Sequence, residues 1–293
     1  MKRKGFLAIL TAMAMIGSMG VCVYAADDAA ATEDVLADYT GKADYKIGFS
    51  QCTLASPFYV TMKEVAEDYA KQLGVDFVCV SADDDVTKQN NDINDMISSG
   101  IDALILNPIN AEGVAPAIEA CQKADIPVIT VDRNVNDGNT AYVGRDNEEM
   151  GRLVGEAPGL EVIQSAYCDY TRSKAVTAAQ DLLQSNDGIV AVYGHNDDMS
   201  LGAAQVLEEK GIEGVKVTGV DGLMEAVMAI QDGKYSITTM NDPGSLLKVA
   251  MNTTLKVLNG EDYDEFVDAG TGVIDSSNVA DYVDDSLAFA AMK

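Results

Sequence analysis

The stretch Asp102–Arg133, DALILNPINAEGVAPAIEACQKADIPVITVDR, decides how this chain is built. DALILN and IPVITVD are short runs dense in Val, Ile and Leu, without the polar alternation of a half-exposed strand. EGVAPAIEACQKA, between them, spaces its apolar residues at helical period. Strand, helix and strand in that order form a βαβ unit, whose parallel strands are buried on both faces. The pattern continues in both directions. Upstream come YKIGFS, the helix PFYVTMKEVAEDYAKQLG closed by Gly74, VDFVCV, and the helix VTKQNNDINDMISSG closed by Gly100. Downstream come TAYVG, EVIQSA, a helix near SKAVTAAQDLLQS, IVAVYG, DMSLGAAQVLEEKG, VKVTGV, GLMEAVMAIQDG, YSITTM and PGSLLKVAMNTTLKVLNG. The expected fold is α/β, in two doubly wound parallel-sheet domains, which suits 293 residues.

One stretch breaks the rhythm. GRLVGEAPGLEVIQS, Gly151–Ser165, opens as a helix, meets the breaker cluster Ala157-Pro158-Gly159, and passes at once into the strand-like LEVIQS.

The hydrophobic content of 47% supplies a core, and the formal charge is −27. A surface this acidic repels nucleic acid and anionic lipid, so no nucleic-acid partner is expected. An anionic ligand would need a local Arg or Lys cluster, and none is present. Residues 1–25, MKRKGFLAILTAMAMIGSMGVCVYA, have the basic start, short apolar middle and small-residue exit of a secretory signal peptide, with cleavage expected after Ala25. Lys2, Arg3 and Lys4 are its only charges, so their removal takes the formal charge from −27 to −30. The apolar run is short for a transmembrane helix. A lipid anchor on Cys22 is the alternative fate of this segment, disfavoured by Val21, where a small residue is usual. Residues 26–44 read as a flexible acidic leader. The expected location is the periplasm or the exterior of the cell envelope. Cys52, Cys79, Cys121 and Cys168 show no CxxC and no disulfide-framework spacing; buried free thiols are expected, with a Cys52–Cys79 bridge as the alternative.

In open parallel sheets, ligands sit beyond the carboxyl ends of the strands. Polar and aromatic residues recur there. Phe58 and Tyr59 follow the first strand, Asp132-Arg133 end IPVITV, His195-Asn196-Asp197 end IVAVYG, Asp221-Gly222 end VKVTGV, and Asn241-Asp242 end YSITTM. Each has a plainer reading: Asn196 or Asp197 as a helix N-cap, Asp221-Gly222 as a turn, Phe58 and Tyr59 as core, Asp132-Arg133 as a surface ion pair. Their recurrence at the same strand ends favours a site. Asp and Asn bond vicinal hydroxyls, Arg supplies a donor fork, and aromatic faces cover a sugar ring. The ligand expected is a neutral polyol, most naturally a sugar.

The segments IGFSQCTLASPFYVTMKEVAEDYAKQLG, DALILNPINAEGVAPAIEACQKADIPVITVDRNV, VGRDNEEMGRLVGE, HNDDMSLGAAQVL and VTGVDG resemble the type I periplasmic sugar-binding proteins of the ribose/galactose-binding class. These are the substrate-binding components of sugar ABC transporters. The resemblance implies a monomer that delivers a monosaccharide or polyol to an ABC permease by hinge closure. It also implies a lobe of residues 45–145 plus 242–270 and a second lobe of 146–241 plus 271–293. Crossings would lie near Arg145-Asp146, Asn241-Asp242 and Gly270. It makes Phe58 and Tyr59 stacking aromatics, Asp132 and Arg133 a polar clamp, and Tyr170 a second-lobe aromatic. Asn196, Asp221 and Asn241 become hydrogen-bonders, with Asn241 standing where Gln is common. Ala55-Ser56 replaces a pair that is often Asn in ribose binders. In the family, GRLVGE continues through a helix, a strand, a loop bearing an Arg and another helix before a strand like LEVIQS. The second domain is therefore expected to lack one helix–strand–helix unit, including a central strand. A poorly binding relative, or a ligand carrier for a chemoreceptor, is the alternative use of the same fold.

An enzyme is not expected: there is one His and no HExxH, GxSxG or P-loop. No cofactor or metal set is visible. A transcriptional regulator would need a basic helix-turn-helix where the signal-like segment and acidic leader stand.

Overall fold

The computed structural model describes residues 6–9, 35–155 and 161–292. The expected cleavage site, Cys22, residues 26–34 of the leader and the Ala157-Pro158-Gly159 junction lie outside the described residues. In chain order the elements are β1 (Phe6–Ile9), β2 (Lys46–Gln51), α1 (Pro57–Leu73), β3 (Asp76–Ser81), α2 (Val86–Ser98), β4 (Ala103–Leu106), α3 (Ala115–Lys123), β5 (Val128–Val131) and β6 (Ala141–Gly144). Then follow α4 (Asn147–Gly155), β7 (Glu161–Gln164), α5 (Arg172–Ser185), β8 (Ile189–Tyr193), α6 (Asp197–Glu209), β9 (Lys216–Asp221) and α7 (Met224–Gln231). The chain continues with β10 (Ile237–Met240), α8 (Pro243–Asn259), β11 (Phe266–Asp268) and β12 (Val273–Asp275).

These elements fall into two compact units. Among the described residues, the amino-terminal unit holds 35–145 and 243–270; the carboxy-terminal unit holds 6–9, 146–155, 161–242 and 271–292. The chain passes between them after Arg145, after Asp242 and after Gly270.

In the amino-terminal unit the sheet order is β11-β6-β5-β4-β2-β3, all parallel. The apolar runs that signalled strands are the centre of this sheet: Leu104, Ile105 and Leu106 of β4 are fully buried, as is Ile129 of β5. Burying each such side chain stabilises by about 1.5–3 kcal/mol. One face packs on Ile93 and Met96 of α2 and Ile118 and Cys121 of α3. Helix starts and stops follow local chemistry. Ser56 caps α1, its hydroxyl accepting from the Phe58 amide, and Pro57 occupies the first turn. Gly74 ends α1 in a left-handed conformation at φ 79°. Asp85 caps α2 by accepting from the Thr87 and Lys88 amides.

At its boundary positions this unit is tied by one buried cation. The Arg145 guanidinium donates to the Gly270 carbonyl and, at 2.7 Å, to Ser245 Oγ. One side chain thus links residues at or near all three places where the chain changes unit.

In the carboxy-terminal unit the order is β12-β10-β9-β8-β1-β7, parallel except for β12. Counted inward from the edge strand that follows each unit's first helical crossover, the two sheets match strand for strand. β1 stands where β2 stands in the other unit. That central position was expected to be vacant. It is instead taken by Phe6–Ile9, from the apolar middle of the signal-like segment, paired with β7 from Phe6↔Glu161 to Ile9↔Gln164 and with β8 at Phe6↔Ile189, Ala8↔Val192 and Ile9↔Tyr193. An apolar β-rich tetrapeptide meets the demand of a strand flanked on both sides. No strand between α4 and β7 fills the place among the described residues. The short strands β11 and β12, which the pattern did not signal, extend the sheets at the opposite edges.

Cys52, Cys121 and Cys168 are buried and Cys79 is partly buried; all four are free thiols, so the alternative Cys52–Cys79 bridge is absent.

Candidate functional site

In the amino-terminal unit the sheet ends carry Phe58, Tyr59, Asp132 and Arg133 together. Phe58 and Tyr59 lie in the first turn of α1, both largely buried, their rings edge to face at 5.3 Å between centroids. The Arg133 guanidinium donates to the Tyr59 hydroxyl and sits 5.4 Å from that ring's centre. Its Nη1 also lies 3.4 Å from the carbonyls of Pro108 and Ile109, just past β4. Arg133 is therefore held by its neighbours rather than swinging free. The Arg133 Nε to Asp132 Oδ2 distance of 3.8 Å makes their pairing electrostatic rather than a tight hydrogen bond.

Asp132 is the most constrained of the four. It follows β5 with φ 64°, a left-handed conformation that costs an L-residue free energy and clusters at functional positions. Its amide donates to the Val143 carbonyl at 3.0 Å, and its own carbonyl accepts from the Tyr142 hydroxyl at 3.1 Å. The carboxylate accepts from Asn107 Nδ2 at 3.1 Å, and the side chain stays 17% exposed. Burial pushes its carboxyl upward, opposed by Arg133, the Asn107 bond and Arg145. A carboxylate so placed has an oxygen left for hydroxyl donors from outside.

Asn107 went unnoticed as a site residue in the sequence. It is fully buried at the end of β4, with Nδ2 on Asp132 and on the Val131 carbonyl. Gln89 backs it, donating to the Asn107 carbonyl at 2.9 Å and to Ser50 Oγ at 3.2 Å. The signal was present: an amide at a strand end inside DALILNP has no apolar reason to be buried.

The carboxy-terminal unit gathers Tyr170, Asn196, Asp221 and Asn241 at its own strand ends. Asn196 is the N-cap of α6, its Oδ1 accepting from the Met199 amide at 2.8 Å. Its Nδ2 donates to the Tyr170 carbonyl at 3.1 Å, which fixes the loop carrying that aromatic. The plain reading as a cap and the reading as a site residue therefore hold together. Asp221 ends β9 with φ 115°, and Tyr170 has φ 49°. Asn241 Nδ2 donates to Asp221 Oδ1 at 3.1 Å, and its amide donates to the Asp221 carbonyl at 3.1 Å. Each unit thus presents an Asp in left-handed backbone, oriented by an Asn amide from a neighbouring strand end.

Arg172, beside Tyr170, is occupied. It bonds Asp198 through Nε at 2.9 Å and Glu225 through Nη1 and Nη2 at 2.7 and 2.6 Å, and these partners hold its proton more firmly than usual. That network pins the first turns of α5, α6 and α7 together. His195 is exposed, its ring edge-on to Tyr193 at 5.3 Å. Among the described residues no group of His, Cys, Asp and Glu could hold a metal ion, and no helix is long and apolar enough to cross a membrane.

A family model described as a periplasmic binding protein domain matches residues 47–157 and 154–262. The chain belongs to this family. The two matched stretches meet at residues 154–157, beside the Ala157-Pro158-Gly159 junction. The chain is similar to the ribose import binding protein RbsB of Bacillus subtilis (strain 168), 30% identical over 78% of this chain and 86% of that one. It is also similar to the xylitol-binding protein of Mycolicibacterium smegmatis, 26% identical over 86% of this chain and 81% of that one. Among solved structures, an ABC transporter solute-binding protein from Mycobacterium smegmatis with bound glycerol superposes with TM-score 0.81 at 44% identity, over 85% of this chain and all of that one. Two parallel α/β sheets of this order are the type I periplasmic binding protein fold.

Proposed function

We propose that this chain is the extracytoplasmic binding protein of an ABC importer, carrying a neutral monosaccharide or polyol to its permease. The observation that carries the reading is the pair Asp132 and Asp221. Each sits at a strand end in strained backbone, aimed by Asn107 or Asn241. Fixed carboxylates accept from hydroxyls, and charge-assisted bonds of this kind contribute about 1.5–3 kcal/mol each. The ligand groups would be Phe58, Tyr59, Asp132 and Arg133 in one unit and Tyr170, Asn196, Asp221 and Asn241 in the other. Two carboxylates against one guanidinium disfavour sugar phosphates and sugar acids. The relatives that bind or import ribose and xylitol, and the one holding glycerol, support a polyhydroxyl ligand.

Residues 1–25 are the export signal in this reading, removed after Ala25 together with β1, so the exported protein binds its ligand without the strand between β7 and β8, as a monomer and a binder rather than an enzyme. Amino-terminal sequencing of exported protein checks the cleavage. The binding experiment is calorimetric titration of purified protein with D-ribose, D-allose, xylitol, myo-inositol and glycerol, with ribose 5-phosphate as the anionic control. Saturable binding of one neutral member, weakened at least 100-fold in Asp132→Ala and at least tenfold but still measurable in Asp221→Ala, is the expected result. Binding of the phosphate in preference, or no heat with any member, overturns it. Ligand capture by closure about the three crossings is read by small-angle scattering as a smaller radius of gyration with ligand.

A further inference from the structure

Asp197 is the third residue of HNDDMS and sits behind the candidate ligand residues, with no exposed surface. Its Oδ1 accepts from the Tyr235 hydroxyl at 2.7 Å. Its Oδ2 accepts from Thr238 Oγ1 at 2.8 Å and from the Leu223 amide at 2.9 Å. Those three donors come from three separate segments: the loop leading into β10, β10 itself, and the turn after β9. Thr238 Oγ1 in turn accepts from the Gly222 amide at 3.2 Å. The neighbours of these contacts are the proposed ligand groups. Asn196 precedes Asp197, Asp221 precedes the Gly222-Leu223 turn, and Asn241 lies three residues beyond Thr238.

Space is reserved for this arrangement. A Cβ on Gly219, in the middle of β9, would stand 2.2 Å from the Tyr235 hydroxyl and 2.6 Å from Asp197 Oδ1. Only glycine lets the strand pass that close to the buried carboxylate. A buried carboxylate with three donors is a costly group to keep unless it specifies something, because apolar residues would pack there without the desolvation.

We infer that Asp197 is a positioning residue for ligand binding: it sets the geometry of Asp221 by tying the start of α6, the turn after β9 and β10 to one carboxylate. The inference rests on the proposal that Asp221 contacts the ligand. It acts through the Gly222-Leu223 turn, so its effect on affinity requires the Asp221 carboxylate. Asp197→Asn keeps the shape but faces the Tyr235 and Thr238 hydroxyls with an amide, and so re-aims the turn.

The test is a double-mutant cycle on affinity for the tightest-binding polyol of the panel, measured well below the melting temperature at pH 8. Asp197→Asn is expected to weaken binding at least tenfold in the wild-type background and less than twofold in the Asp221→Ala background. Thr238→Val, which removes one of the three donors and a smaller polar contact, is expected to follow the same pattern with a smaller loss. Val206→Ala, on the buried face of α6, serves as the stability control: it lowers the melting temperature and leaves affinity unchanged. Equal losses from Asp197→Asn in both backgrounds, or affinity that tracks melting temperature across all three variants, overturn the inference. If Asp197→Asn does not fold, the Thr238→Val cycle decides by the same criterion. Should Asp221→Ala bind as well as wild type, the functional reading fails first; absence of any wild-type binding removes both.

Discussion

Replacing Asp132 by glycine is expected to separate binding from stability. The residue sits at φ 64°, where an L-residue is disfavoured by roughly 1–2 kcal/mol and glycine is not. Glycine gives back roughly 0.5–1 kcal/mol through the extra freedom of the unfolded chain. The two nearly cancel, so the backbone conformation by itself leaves Asp132→Gly within about 1 kcal/mol of wild type. Alanine keeps the left-handed penalty without the local hydrogen bonding that makes Asp tolerable there. Both variants remove the same carboxylate, with the same relief from burial and the same loss of the Asn107 bond, so those contributions drop out of the comparison. Asp132→Ala should therefore be about 1 kcal/mol less stable than Asp132→Gly, a melting difference of about 2–4 °C for domains of this size. At ordinary strand or helix positions the order is the reverse. Ligand affinity should fall in both by about 3 kcal/mol or more, at least 100-fold, for two charge-assisted bonds lost. Differential scanning calorimetry and isothermal titration give the two readouts. An alanine variant that melts at or above the glycine variant refutes the strain argument. A glycine variant that binds as wild type refutes the role of the carboxylate.

Three further outcomes are expected. Burial raises the Asp197 carboxyl from its ordinary 3.8 to about 7 in the folded unit. Between those values the native state holds a proton that the unfolded state has lost, so stability falls as pH rises from about 4 to 7, by up to about 1.4 kcal/mol per pH unit. Urea midpoints across that range should fall less steeply in Asp197→Asn; identical pH profiles count against it. Burial likewise pushes the thiols of Cys52 and Cys79 up to about 12 and that of Cys121 up to about 11. Ellman's reagent at pH 8 should label these slowly in native protein and fully in guanidinium, and rapid native labelling of all three contradicts their placement. Finally, a chain beginning at Ala26 lacks Phe6–Ile9, so β7 and β8 lose the strand between them. It should melt lower than the full chain and show faster amide exchange in Ile189–Tyr193; equal melting points and exchange would mean that β1 contributes nothing to the sheet.

The sequence made the fold legible because the evidence for it is local. Continuous Val/Ile/Leu runs such as ALIL and VITV can only be strands buried on both faces, and the helices between them carry their own caps at Ser56, Asp85 and Asn196. The strand-end position of seven of the eight candidate residues followed from that topology, Tyr170 coming from the family resemblance, and within each unit the structure brings four candidates into contact pairs. What local pattern could not show is which side chain aims which. Asn107 reaches Asp132 across 25 residues, Asn241 reaches Asp221 across 20, and Asp197 reaches Thr238 across 41. In sequence each is an isolated polar residue beside a strand, equally consistent with a cap or a turn.

The occupant of the central place in the carboxy-terminal sheet lay beyond local pattern for the same reason. GRLVGEAPGLEVIQS signals by its length alone that a strand has no room between α4 and β7. That Phe6–Ile9 takes the place depends on pairing over more than 150 residues of chain, where only the open hydrogen-bonding edges of β7 and β8 select the partner. Amino-acid order by itself determined the strands, the helices and the ends of the sheet where polar groups collect. The tertiary structure decided how those groups are held, because hydrogen bonds between distant strand ends exist only once both sheets have formed.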